Sequence, residues 1–400
     1  MKRIIVSFLC FIVFSASFLL PVSAAQEVMN TRDDFAWGIN AHHRGYAAYP
    51  EKNVKEHVRL AAAMGCKLYR FNLNPAGIRD LLYLDDVLRE VQAYGMDMML
   101  VMDDDSGTDE DIAGRMAITA GRYAKGSEYG FIKYFQIFNE TNMFAMQETM
   151  GNPHGRPGMS VGEFSKDAID KWYSKFNAAF TGIRKVNKDV QLVINIANVG
   201  YGYLLALEER GLKWDVIGID WYEHSGEFSK ILEPVKRNFP EHDIIICETN
   251  IYAKESTADA PASRWQWLFE SMELLYTESR VKGVIFYELL DEPTLMEGGN
   301  VFGDAHTPEE AYAGFITCDI AGEIGKPKAV YTEVQRLIGG DPDIKPSELQ
   351  PPDDTAENPP EGTGGSKEGF PWPIAAAAGG VVLVGALTAG FFIIKRKGSK

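Results

Sequence analysis

The chain has 400 residues, 56 acidic against 40 basic side chains and a formal net charge of −16. Its hydrophobic content of 46% is enough for a large core and excludes a wholly disordered protein. The acidic balance excludes a general nucleic-acid binder, whose phosphate contacts need a basic face.

The chain opens with Lys2-Arg3, an apolar run Ile4–Leu20, and then Pro21-Val22-Ser23-Ala24-Ala25. Charge, apolar run and small residues in that order predict a secretory signal over 1–25, cleaved after Ala24 or Ala25. A retained anchor is the alternative for a run of this length. Both place Gln26–Phe370 outside the cell.

Over roughly 31–340, short apolar runs alternate with amphipathic helical patterns. Strands are expected at Phe35–Asn40, Leu68–Asn72, Met98–Asp103, Tyr134–Asn139, Gln191–Ala197, Val216–Trp221, Ile244–Glu248 and Gly283–Tyr287. These runs are continuous and rich in β-branched and aromatic residues, as strands buried on both faces should be. Helical patterns fall at Val54–Met64, Asp86–Tyr94, Asp111–Tyr123, Val161–Val186, Ala262–Thr277 and Ala329–Ile338. Eight strand–helix units in about 310 residues predict an α/β fold of the (β/α)8 TIM-barrel type. A doubly wound open sheet is the competitor, but no glycine-rich phosphate loop follows the first strand.

Residues 341–370 hold six prolines, eight acids and two lysines, a net charge of −6. That composition predicts an extended stalk. Ile374–Ile394 is a run of 21 residues without a charge, enough for one bilayer crossing. Lys395-Arg396-Lys397 follows and assigns the tail 395–400 to the cytoplasm. Of the four cysteines, Cys10 falls in the signal. Cys66, Cys247 and Cys318 leave either one disulfide and a thiol or three buried unpaired thiols, the plainer reading, and no spacing suggests a metal site.

In a TIM barrel the functional residues sit at the C-terminal ends of the strands. Polar residues collect there: Asn40 and His42, Arg70 and Asn72, Asp103, Asn139-Glu140, Asn195, Asp220 and Tyr222, Glu248, Tyr287 and Glu288. Glu140 ends the fourth strand and Glu248 the seventh, and the tops of those strands face one another across the mouth of a closed barrel. Two converging carboxyls are what glycoside hydrolysis needs, one to protonate the leaving oxygen and one to attack or activate water. Glu140 ends an aromatic strand, where desolvation raises an acid's pKa, and Arg70 is the expected counter-ion of Glu248. No cofactor and no metal ion is expected.

These residues together resemble glycoside hydrolases of the clan A type. Those enzymes are (β/α)8 barrels with an Asn-Glu acid/base pair ending strand four and a glutamate nucleophile ending strand seven. Asn139-Glu140 and Glu248 match in type, order and strand number, as do Arg70 on strand two and Tyr222 after strand six. The resemblance implies a retaining glycosidase acting on a poly- or oligosaccharide, with Tyr222 hydrogen-bonding the nucleophile. Two positions depart from it: Asp220 stands where many members have histidine, and Tyr287 where many have tryptophan. The sugar and linkage therefore stay open, as does endo or exo action, and the Met143–Gly158 loop is the segment expected to set them.

The expected substrate-binding set is Asn40, His42, Arg70, Asn139, Tyr222, His224 and Tyr287. Trp221 and Tyr287 can stack on sugar rings. Trp37 is mid-strand and better explained as core. Glu288, Asp291 and Glu292 are expected to be loop or supporting acids. Asp103-Asp104-Asp105, Asp109 and Glu110 read as a solvated acidic loop without EF-hand spacing. The rival from another class is a carbohydrate-binding barrel without turnover. A metal-dependent barrel hydrolase is a third option, weakened by the lack of clustered histidines.

Overall fold

The computed structural model describes residues 28–73, 78–146, 158–223, 225–251, 259–297 and 308–347. The expected signal segment, residues 348–370 of the stalk, the apolar run Ile374–Ile394 and the tail lie outside the described residues, as do His224 and most of the loop after strand four. Among the described residues no helix is long and apolar enough to cross a membrane.

Eight parallel strands close into a barrel: β1 (Ala36–Ala41), β2 (Leu68–Leu73), β3 (Asp97–Met102), β4 (Tyr134–Ile137), β5 (Gln191–Ala197), β6 (Val216–Asp220), β7 (Asp243–Thr249) and β8 (Val281–Phe286). β1 pairs with both β2 and β8, which completes the closure. The helices between them are α1 (Val54–Met64), α2 (Ile78–Ala93), α3 (Asp109–Arg122), α4 (Thr141–Ala145), α5 (Lys166–Val186), α6 (Tyr201–Glu209), α7 (Ser229–Asn238) and α8 (Gln266–Thr277). A short helix α9 (Pro308–Ala311), an antiparallel pair β9 (Ile316–Cys318) and β10 (Ile324–Pro327), and α10 (Ala329–Ile338) follow.

Two apolar layers hold this together. Leu68, Met99, Val193, Val216, Ile245, Cys247 and Ile285 form one cluster with Ala36 and Tyr134, so every strand contributes to the barrel interior. The larger layer lies between barrel and helices. Side chains alternate across a strand with period two. Stepping up from the interior apolar residues by twos reaches Asn40, Arg70, Gln136, Asn195 and Asp220, so the barrel fills with polar groups towards its C-terminal end. In the helix layer, α3 and α5 meet at Gly182, where a Cβ would lie 2.2 Å from the Ala113 carbonyl oxygen.

Element ends differ from the expected ones for local reasons. Helical periodicity suggested one helix over Val161–Val186. Instead a single 3-10 turn, Val161–Glu163, precedes α5, whose N-cap Ser165 accepts from the Ala168 N–H. α3 starts at Asp109 because Thr108 and Asp111 form a capping box. α7 escaped notice because Pro234 lies inside it. Packed structure runs beyond 31–340. The Met29 N–H reaches the Leu337 oxygen at 2.8 Å, and Ser347 donates to the Ala93 oxygen from both its N–H and its Oγ at 2.7 Å. Cys66, Cys247 and Cys318 are all buried and unpaired.

Candidate active site

A β-bulge shapes the seventh strand. Ile219 of β6 pairs with Ile246, but the next residue, Asp220, pairs with Glu248, so β7 holds one extra residue. Bulges re-aim side chains beside functional sites. This one lets Cys247 stay in the interior cluster while Glu248 comes level with Asp220 at the mouth.

Arg70 is the hub of the site. Its Nη1 donates to Glu248 Oε1 at 2.7 Å and to Asn40 Oδ1 at 2.6 Å, its Nη2 to Asn139 Oδ1 at 2.9 Å, and its Nε to Gln136 Oε1 at 2.9 Å. One planar guanidinium thus ties together β1, β2, β4 and β7, a task that needs the rigid fork of arginine. Burial disfavours the Arg70 charge, but Glu248 and Asp220 outweigh it and hold its pKa above the ordinary value. The second Glu248 oxygen, Oε2, accepts from the Tyr222 hydroxyl at 2.7 Å. Glu248 is therefore gripped on both oxygens.

Glu140 is built differently. β4 ends at Ile137, two residues earlier than its apolar pattern suggests, and Phe138 and Glu140 take φ values of 58° and 47°. This left-handed region is uncommon for bulky residues and costs about 1–3 kcal/mol each. Packing holds Phe138 against Trp172 and Phe176, with ring centroids 5.5 and 5.1 Å away. Asn139 N–H donates to Asp103 Oδ1 at 3.0 Å, and Glu140 N–H to Asn195 Oδ1 at 3.1 Å. The turn delivers a carboxyl that no cation among the described residues is bonded to. Desolvation, then the charge of Glu248, push its pKa up to about 8, against a smaller opposing pull from Arg70 and from a hydrogen bond with Asp220.

Asp220 explains how an acid stands where the resemblance puts histidine. Its Oδ2 accepts from Asn195 Nδ2 at 2.5 Å, and its carboxyl contacts that of Glu140. Desolvation, then the charges of Glu248 and Glu140, raise its pKa well above the ordinary value. Two carboxyls in contact need a shared proton. When Glu140 is ionised that proton sits on Asp220, which makes it a neutral donor to the Glu140 carboxylate; below its own pKa Glu140 carries a second proton. Asp220→Ala removes this lowering influence on Glu140 and moves the alkaline limb of the pH–rate profile up by about one unit, the worth of one hydrogen bond to a charged group. Asp220→Asn still donates, and its limb stays at the wild-type position. The check is kcat/KM measured from pH 5 to pH 10; identical limbs in Asp220→Ala and wild type contradict the assignment.

The other expected residues divide. Asn40 is buried, with Nδ2 donating to the Cys247 and Phe286 carbonyl oxygens and Oδ1 accepting from Arg70, so it supports the hub and does not face a ligand. Asn139 Oδ1 accepts from Arg70, Gln136 and Asn195, which leaves its amide nitrogen without a partner among the described residues. Tyr287 is half-buried at the mouth, its ring edge-to-face with Tyr222 and with His42. His42 is buried beside Glu288. Trp221 is a correction: it is 1% exposed against Phe228 and cannot stack on a sugar. Trp37 is core as expected, donating to the Met29 oxygen and stacked on Phe286. Gln136 was missed, although a glutamine inside an apolar strand was a visible signal.

No protein-family model and no curated protein sequence matches this chain. Solved structures do. A family 1 β-glucosidase from Thermotoga maritima aligns with a TM-score of 0.54 at 12% identity, covering 76% of this chain and 98% of that one. A calcium-binding mutant of Bacteroides uniformis β-glucuronidase 2 aligns with a TM-score of 0.54 at 15% identity, covering 74% of this chain and 34% of that one. At these identities the shared property is the fold, a (β/α)8 barrel.

Proposed function

We propose that this chain is a cell-surface, membrane-tethered retaining glycoside hydrolase with Glu140 as acid/base and Glu248 as nucleophile. One observation carries the proposal: two glutamates on opposite strands of one barrel mouth have opposite surroundings. Glu248 is bonded by a guanidinium and a phenol, whereas Glu140 is bonded to no cation among the described residues and has a pKa of about 8, so it holds a proton at neutral pH. Environments that differ in this way assign acid and nucleophile. The barrel shared with a β-glucosidase and a β-glucuronidase supports the same chemistry.

In the first step Glu140 gives its proton to the glycosidic oxygen while a Glu248 oxygen bonds to the anomeric carbon and the bond to the leaving group breaks. In the second, the Glu140 carboxylate takes a proton from water, whose oxygen displaces Glu248 and releases the sugar. Arg70, Asn40, Gln136 and Tyr222 hold the nucleophile in place. The Asn139 amide and the Tyr287 ring face the substrate. The signal-like start and the apolar run Ile374–Ile394 motivate the tether.

The test is reducing-sugar release from a panel of polysaccharides, led by β-linked glucosyl and glucuronosyl substrates, with NMR of the first anomer formed. Retention of configuration is expected. First release of the opposite anomer shows inversion, and sugar binding without any new reducing end shows the non-catalytic alternative.

A further inference from the structure

A second group of ionisable side chains lies beside the mouth, and the proposed reaction does not use it. His42 follows β1, and Glu288 and Glu292 follow β8. His42 Nε2 is 2.7 Å from Glu288 Oε2, and one possible ligand atom from each of the three residues falls within 4.8 Å of the others. The three are 7%, 0% and 1% exposed. Both Glu292 oxygens are sealed from solvent and have no hydrogen-bond partner among the described residues. Lys328, whose charge also acts on Glu288, is bonded to neither glutamate: its Nζ binds Asp291 Oδ1 at 2.6 Å and the Tyr312 oxygen at 2.9 Å. The other neighbours of Glu292 include the phenols of Tyr46 and Tyr49, which carry no positive charge. Burying a carboxylate with no compensating charge is costly, so the pocket must be neutralised by a bound cation or by a proton.

His42 is oriented as a metal ligand. Its Nδ1 faces Asn72 Oδ1 at 3.2 Å, and the Asn72 amide is fixed by a hydrogen bond with Tyr46. An oxygen acceptor at Nδ1 takes a ring proton there, so Nε2, which faces Glu288 Oε2, is the nitrogen placed to bind an ion. Metal-binding histidines are commonly held by such a partner on the other nitrogen.

We propose that His42, Glu288 and Glu292 bind a divalent transition-metal cation of the zinc type. One imidazole nitrogen and two carboxylates suit Zn²⁺, whereas Ca²⁺ and Mg²⁺ favour oxygen-only shells. Two carboxylates match the charge of the ion. Tetrahedral bonds of roughly 2.1 Å open the His42–Glu288 separation to about 3.4 Å, within reach of small side-chain rotations. The ion clamps the segment after β8 to β1, directly behind Tyr287, whose ring centroid is 5.8 Å from that of His42. The site does not depend on the proposed hydrolysis.

The test uses the purified full chain, stripped with a chelator and titrated separately with ZnCl₂ and CaCl₂. One Zn²⁺ per chain is expected to survive desalting and to raise Tm, with no retention of Ca²⁺. Co²⁺ at the same stoichiometry should give visible ligand-field bands. Glu292→Gln and His42→Gln should each weaken Zn²⁺ affinity at least tenfold, and His42→Gln carries the test alone if Glu292→Gln does not fold. Failure to retain Zn²⁺, or full-affinity Zn²⁺ in both variants, overturns the proposal. So does a wild type indifferent to Zn²⁺ alongside a stabilised Glu292→Gln, which shows that a proton neutralises the pocket.

Discussion

Glu248→Gln lowers kcat on the cognate glycoside by about four to six orders of magnitude, the usual cost of removing a nucleophile from a working active site. The fold should survive. Glutamine has the same shape, and its oxygen still accepts from Arg70 or Tyr222. Arg70 keeps Asn40, Gln136 and Asn139 as partners, so the buried guanidinium is not stranded. Thermal unfolding checks this half of the expectation and steady-state kinetics the other. Glu140→Gln separates the two roles. A substrate with a good leaving group needs little protonation, so its first step continues in Glu140→Gln and stops in Glu248→Gln. Equal losses on good and poor leaving groups in both variants exclude the assignment of Glu140 as the acid.

The barrel was legible because buried parallel strands write themselves as continuous β-branched runs, and eight such runs alternate with helical patterns. The two glutamates and Arg70 were legible because a charged group directly after an apolar strand has no packing reason to be there. Their geometry was not. The bulge that aims Glu248 depends on pairing between β6 and β7, and strand pairing leaves no mark in a single strand's pattern. The left-handed turns at Phe138 and Glu140 likewise come from tertiary contacts that override an aromatic strand pattern. Glu292 read as an ordinary loop acid because its neighbour His42 comes from the opposite end of the barrel sequence, which no spacing rule connects. The same distance hid the link between Asp220 and Glu140.

Arg70→Met should be the most destabilising single change in the site, by about 3–5 kcal/mol, because removing one partner of a buried ion pair leaves the other charge uncompensated. Met fills similar space, so lost packing contributes little. What is lost is one donor group serving Glu248, Asn40, Asn139 and Gln136 at once. Arg70→Lys should recover only part of this, since one ammonium cannot reach four acceptors spread over three other strands in the plane of a guanidinium. The sharper check is a double-mutant cycle. If the uncompensated Glu248 charge causes most of the loss, Arg70→Met should cost much less in a Glu248→Gln background, with a coupling of at least about 1 kcal/mol by denaturant unfolding. Additive losses would mean that the other three hydrogen bonds dominate and that the pair contributes little. A pair that is costly to break yet replaceable in principle by well-packed apolar residues is explained by chemistry more than by stability: the guanidinium fixes the carboxylate at the point where a nucleophile has to stand.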